Sequence, residues 1–200
     1  MSAILWPDAD GDDAHQAFAT TLHRLRRLLR HEKAVQLENG RVSLDCHQVW
    51  LDRWAFENLP TVESQEMSGN RWTDGIWNTL KWYRGDFLGD EEAPWAAIAR
   101  EQLRTNFRRR HRIVVESLER CGRWSDAVEW QRRGIEAVPL AEEMHAGLIR
   151  AHRRLRQDAE AAAAYLRCEK LLKAALGVTP GTEIRKAYLQ TADDIESNDN

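Results

Sequence analysis

The sequence predicts a mainly α fold, in which one helix and a β-hairpin precede a domain of repeated helices. Three observations carry this reading. Apolar residues recur at steps of 3 and 4 through most of the chain, the period of an amphipathic helix. Two short alternating runs flank Asn39-Gly40, a dipeptide that tolerates the positive φ of a type I′ turn. Small residues in the C-terminal half recur at a spacing of about 34 residues, the period of tetratricopeptide-like helix pairs.

The first helix is expected over Ala14–Arg30, capped by Asp12 or Asp13, with Ala14, Phe18, Leu22, Leu25 and Leu29 on one stripe. No acid occurs from Ala14 to His31. Val35 and Leu37, then Val42 and Leu44, alternate with polar residues as the two strands of the hairpin. A third short strand is expected at Gln48–Leu51, and then a helix capped by Asp52 and reaching about Asn58. The polar stretch from Thr61 to Asn70 reads as a loop. Ile76, Leu80, Tyr83 and Phe87 mark a further helix stripe, and Pro94 opens a long helix to about Cys121. Gly122 stops that helix. Helices are then expected from the Gly122–Ala127 turn to Pro139, over Leu140–Leu155, over Asp158–Leu176 and over Glu183–Ile195. The 34-residue shift places Ala127 on Ala161, Gly134 on Cys168 and Leu118 on His152, with Arg156 where such a turn usually has glycine. Small side chains are expected at close helix crossings. These elements divide the chain into residues 1–58 and residues 59–200.

Composition narrows the function classes. Lys+Arg total 29 against Asp+Glu 32, a net charge of −3, which excludes a globally basic nucleic-acid coat and leaves room for a local basic patch. The residues are 42% hydrophobic and 30% charged, as in a folded globular chain. No apolar run approaches the roughly 18–20 residues of a membrane helix, so no membrane partner is expected. Met1–Asp13 carries no basic residue and does not read as a signal peptide. Cys46, Cys121 and Cys168 are odd in number and far apart, which points to a reducing cytoplasm rather than a disulfide scaffold.

No enzyme signature is present: no phosphate-binding glycine loop, no His-Glu-x-x-His and no paired Cys-x-x-Cys. Catalysis, a cofactor and a metal are therefore not expected. Cys46-His47 is a single adjacent pair without a second pair at zinc spacing, read as a strand-edge pair. His111, His145 and His152 lie on helix faces with no nucleophile arranged beside them. Arg108-Arg-Arg-His-Arg112 spreads its charges over several faces and reads as salt bridges and solvated surface. Trp72, Trp77, Trp82 and Trp95 read as core; Trp77, Trp82 and Trp95 are expected to pack between the N-terminal elements and the repeat helices.

One feature has a chemical direction. The first helix sets Thr20, Thr21, Arg24 and Arg27 opposite its apolar stripe, and Arg41 stands beside the hairpin tip. Arginine bridges phosphates or guanine edges, and threonine meets phosphates or a thymine methyl. A basic helix followed at once by a hairpin is the order of a recognition helix and its wing.

Specific motifs then carry a resemblance. Leu5-Trp-Pro-Asp8, Gly11-Asp-Asp-Ala14 and Leu22-His-Arg-Leu-Arg-Arg-Leu-Leu29 resemble the end of the OmpR-like winged helix of SARP/AfsR-type transcriptional regulators. Val49-Trp-Leu-Asp52 with Phe56-Glu57 resembles the join to the next domain. Tyr83-Arg-Gly-Asp-Phe-Leu88, Ala93-Pro-Trp95, Arg100-Glu-Gln-Leu-Arg104 and the helices from Gly122 through Leu176-Gly-Val-Thr-Pro180 resemble the bacterial transcriptional activator domain. The resemblance implies a truncated winged-helix remnant, a helix plus a hairpin wing, followed by a tetratricopeptide-like repeat. It also implies a DNA-binding activator whose partners are promoter DNA and proteins, either the transcription machinery or another copy of itself. The strands, first helix and loop that precede the Leu5-Trp-Pro segment in that family are not among these residues. The expectation is thus either a fragment of a larger regulator, for example a MalT-like ATPase, or a natural short form. A protein-interaction module without DNA affinity is the competing expectation.

Overall fold

The structure, a computed structural model, describes residues 6, 8–58 and 82–190. The first helix, α1 (Gly11–Leu28), begins because Asp10 turns its Oδ1 back onto the amides of Asp12 and Asp13, both at 3.1 Å. Asp12 and Asp13 are therefore first-turn residues, where their charge meets the positive helix end, and Asp10 is the cap that the sequence reading placed two residues too late. The helix ends as Arg30 adopts φ 54° and the His31 amide returns to the Arg26 carbonyl. Strands β1 (Val35–Glu38) and β2 (Arg41–Leu44) pair antiparallel with Val35 opposite Leu44 and Glu38 opposite Arg41. Asn39 at φ 50° and Gly40 at φ 72° form the expected turn. A third strand is not formed. The Gln48 and Val49 amides both bond the Asp45 carbonyl, which closes a turn and takes those donors from any ladder. Helix α2 (Asp52–Glu57) follows, with Leu51 rather than Asp52 in the cap position.

The chain clusters into two units, Met1–Asn58 and Leu59–Asn200. In the first, Ala14, Leu22, Ala34, Val35 and Phe56 are buried. The second contains α3 (Pro94–Arg120), α4 (Trp124–Ala137), α5 (Glu142–Arg154), α6 (Asp158–Leu176) and α7 (Thr182–Leu189). Helix α5 is its centre, packed against α4, α6 and α7. It is buried almost all round, from Met144 through Ile149 and again at Ala151 and His152.

The 34-residue shift is visible in the turns. After α3 the amides of Gly122 and Arg123 bond the carbonyls of Glu119 and Leu118; after α5 those of Arg156 and Gln157 bond Arg153 and His152. Both turns need a left-handed residue, which is Gly122 at φ 69° in one and Arg156 at φ 56° in the other. The small residues sit where expected: Ala127, Ala161 and Cys168 are fully buried. At Gly134 a Cβ would collide with the His111 ring and stand 2.7 Å from Met144 Sδ, so glycine is what lets α3, α4 and α5 close on one another. Gly147 plays the same part unannounced, since a Cβ there would collide with the Gln131 amide.

Other expectations shift. Tyr83 lies in irregular chain and Phe87 in a turn rather than a helix, with Gly85, Leu88 and Gly89 all at positive φ; the Ile76–Leu80 part of that stripe lies outside the described residues. The last helix stops at Leu189, where Gln190 turns extended, and Ile195 lies outside the described residues. Trp82 and Trp95 are exposed rather than core, at 36% and 50%, whereas Trp130 supplies the buried indole of the repeat; Trp72 and Trp77 lie outside the described residues. Trp95 is the second residue of α3, a position that the sequence marks as a helix start and that leaves its side chain beyond the packed face.

Candidate nucleic-acid interface

Helix α1 is held to the hairpin by Arg26, whose Nε and Nη2 donate to the Val35 carbonyl at 3.0 and 2.8 Å. This two-pronged contact satisfies the first carbonyl of β1 and fixes the helix rotation. Arg26 therefore has a structural task, while its neighbours point elsewhere. Thr20, Thr21, Arg24 and Arg27 are all exposed. At about 100° per residue they share one third of the helix circumference, centred opposite buried Leu22, with Thr21 at the edge next to the face of buried Ala14. Arg41 is exposed at the hairpin tip, in register with Glu38 on the facing strand.

The fold gathers more basic groups than the sequence reading selected. His23, Arg26, Arg27, Arg30 and His31 line a cleft of about 390 Å³ at the end of α1, with Glu32 as its only acid. Of the five predicted contact residues, Arg27 alone lines it. The signal was present in the spacing, because His23, Arg27 and His31 are four residues apart and Arg30 follows Arg26 at the same step. Cations here complement the negative end of the helix, and a cleft with this lining accepts an anion such as a phosphate oxygen. The same end of α1 exposes Leu25 at 40%, Leu28 at 80% and Leu29 at 44%.

The other candidate chemistries resolve into structure. His111, His145 and His152 are buried, and each has a ring nitrogen on an oxygen: the Trp130 carbonyl at 3.0 Å, the Pro139 carbonyl at 2.8 Å and Gln157 Oε1 at 2.7 Å. Burial lowers His111 from 6.5 to about 4, so it stays neutral at physiological pH. Buried Cys168 is pushed up to about 11 by desolvation and by Glu142, which leaves it an unreactive thiol. Cys46 and His47 are exposed, and Asp45 joins them with donor atoms within 4.8 Å. Its carboxylate already accepts from Gln36 Nε2 at 3.0 Å and the His47 amide at 2.9 Å. Three consecutive residues do not close the four-ligand shell of a structural zinc site. The Arg108–Arg112 run behaves as expected at its ends, where Arg108 pairs with Glu143 and Arg112 with Glu116.

In the second unit, the two sequence motifs Tyr83–Leu88 and Arg100–Arg104 prove to be halves of one clamp. Arg104 grips Asp86 through Nε at 3.2 Å and Nη2 at 2.5 Å, and Arg100 donates to the Phe87 and Glu91 carbonyls at 3.1 and 2.8 Å. Two arginines one helical turn apart thus pin an irregular, glycine-bearing segment to the start of α3.

Among the described residues no helix is long and apolar enough to cross a membrane. No curated protein matches the chain. The sequence profile of the bacterial transcriptional activator domain matches residues 51–190, which take in α2, the Arg100/Arg104 clamp and every helix of the repeat, while α1 and the hairpin precede the match. Because that stretch is well over half of the chain, the protein belongs to the bacterial transcriptional activator domain family.

Proposed function

We propose that this transcription regulator acts without catalysis in the cytoplasm, that α1 and the hairpin bind promoter DNA as a recognition helix and wing, and that the repeat helices meet protein partners. The observation that carries the DNA reading is the division of labour on α1. Arg26 is tied to the hairpin, whereas Thr20, Thr21, Arg24 and Arg27 stand exposed on one face beside a basic cleft. Such a face offers charge to phosphates and donors to base edges. The repeat supports partner binding because its exposed apolar residues include Leu140, Leu166 and Leu176.

A second reading has its own observation. Leu25, Leu28 and Leu29 are exposed at the basic end of α1, and Leu37 of β1 is 44% exposed, an apolar surface that suits a protein partner. An electrophoretic shift of a mixed-sequence duplex, titrated against salt, separates the two. DNA binding predicts a weak, salt-sensitive complex that is further weakened when Arg24, Arg27 and Arg41 are all changed to Ala. Unchanged affinity in that triple variant would refute the recognition-helix assignment, and no shift at low salt would leave the interaction reading.

A further inference from the structure

Between α4, α5 and α6 the second unit holds a cleft of about 580 Å³, within the range of about 300–1,000 Å³ typical of small-ligand sites. We propose that it binds a short peptide of two or three residues, free at both ends and apolar in its side chains. Four charged side chains line the cleft, Arg132 and Glu136 from α4 and Glu160 and Arg167 from α6. All four are exposed, and among the described residues none of them has a side-chain hydrogen bond or ion pair. Arg133, next along α4, differs in this respect, since Glu129 holds it at 2.9 Å. His145 belongs to the wall, its Nε2 donating to the Pro139 carbonyl at 2.8 Å.

The arrangement of the charges selects the ligand. Two cations and two anions cancel, so a ligand with one charge meets repulsion along with attraction, whereas a zwitterion meets an opposite charge at each end. The 34-residue shift carries Arg132 onto Leu166, the neighbour of Arg167, which sets the two guanidiniums at about the same height on opposite walls. A carboxylate between them can take N–H donors from both sides. Glu136 lies four residues beyond Arg132, about 6 Å of helix rise, and Glu160 lies seven residues before Arg167, about 10 Å. An extended chain covers about 3.3–3.6 Å per residue, so the ammonium of a dipeptide reaches the nearer glutamate and that of a tripeptide the farther one. Half-buried Ile135 and Leu171 keep apolar surface open to solvent in the cleft, beside buried Leu148 and Ala164. Apolar side chains of the ligand cover that surface, which polar ones would leave without gain.

The test is calorimetric titration of the full chain with leucyl-leucine and leucyl-leucyl-leucine. We expect saturable one-to-one binding of at least one of them. Its N-acetyl form, its C-terminal amide and the glycine peptide of the same length should each bind at least about tenfold more weakly, since the first lacks the ammonium, the second the carboxylate and the third the apolar side chains. With Arg132→Gln and Arg167→Gln together, the free peptide and its amide should bind alike. With Glu136→Gln and Glu160→Gln together, the free peptide and its N-acetyl form should do so. All four side chains are exposed, and circular dichroism checks that each double variant keeps its fold. The comparison of free and blocked peptides on the unaltered chain needs no variant and decides even if one unfolds. No saturable binding of either peptide, equal binding of a blocked form by the unaltered chain, or an undiminished preference for free ends in the folded double variants would overturn the assignment. The assay contains no DNA and no protein partner, so its outcome is independent of the α1 interface.

Discussion

Single residues decide how tightly the repeat closes, and His111 is the clearest case. Its neutral ring crosses from α3 to the Trp130 carbonyl through the space that Gly134 leaves. Burial depresses its folded-state value to about 4 from 6.5, while Glu143 nearby pulls the other way. A depressed value means the unfolded chain binds the proton first, so the stability is intact above pH 6.5 and is lost as pH falls towards 4. The loss should reach about 3 kcal/mol. Urea unfolding at neutral and mildly acid pH, compared with His111→Phe, checks it; an equally steep decline in the variant would assign the acid sensitivity to other groups. Arg156 offers a second measurement at this scale. It holds φ 56° at the position equivalent to Gly122 in the preceding turn. Arg156→Gly should raise stability by about 0.5–1 kcal/mol if backbone strain dominates. A lower melting temperature would show that the contacts of its side chain outweigh that strain.

At the scale of elements, the helices meet through small residues and stay together through a few long ones. Ala161 is fully buried, in the register that places it on Ala127. Ala161→Leu should cost about 1–3 kcal/mol by overpacking, and an unchanged melting temperature would displace the assigned register. Helix α7 is short, at 8 residues, and depends on its contacts with α5 and α6. The Gly181 amide that opens α7 donates to Glu142 Oε2 at 2.7 Å, and a Cβ on Gly181 would lie 2.7 Å from that same oxygen. At the other end Arg153 donates to the Tyr188 carbonyl at 2.7 Å, and Tyr188 stacks on Tyr165 at 4.4 Å. Arg153→Ala removes the carbonyl contact, the ion pair with Asp158 and the cation over the Tyr188 ring together. Amide exchange in α7 should then accelerate well beyond that in α5. Equal protection in both helices would mean that Arg153 is dispensable and that the helix packing, the Gly181–Glu142 bond and the Tyr165–Tyr188 stack secure α7 without it.

For the whole molecule, the net charge of −3 hides an uneven distribution. The basic end of α1 gathers His23, Arg26, Arg27, Arg30 and His31 around one cleft. If Arg24, Arg27 and Arg41 each neutralise a phosphate, the triple alanine variant should reduce the slope of log affinity against log salt by about 3. A slope unchanged in that variant would place the phosphate contacts elsewhere. The sequence by itself determined the first helix and the hairpin with its Asn39-Gly40 turn, the succession of helices from Pro94 with their 34-residue register, and the basic face of α1. These follow from local chemistry: the period of a helix, the few residues that accept positive φ, and the charges along one face. It could not determine which buried residue occupies which crossing. The place of Gly147 against Gln131, the clamp between Asp86 and Arg104, and the turn at Gln48 all join groups whose partners are chosen by packing. Trp95 shows the same limit from the other side, since its large apolar surface argues for burial and its position at the start of α3 leaves it exposed. Tertiary structure decided these points because burial and hydrogen bonding depend on what lies across the gap, and side chains distant in sequence are invisible to any local pattern.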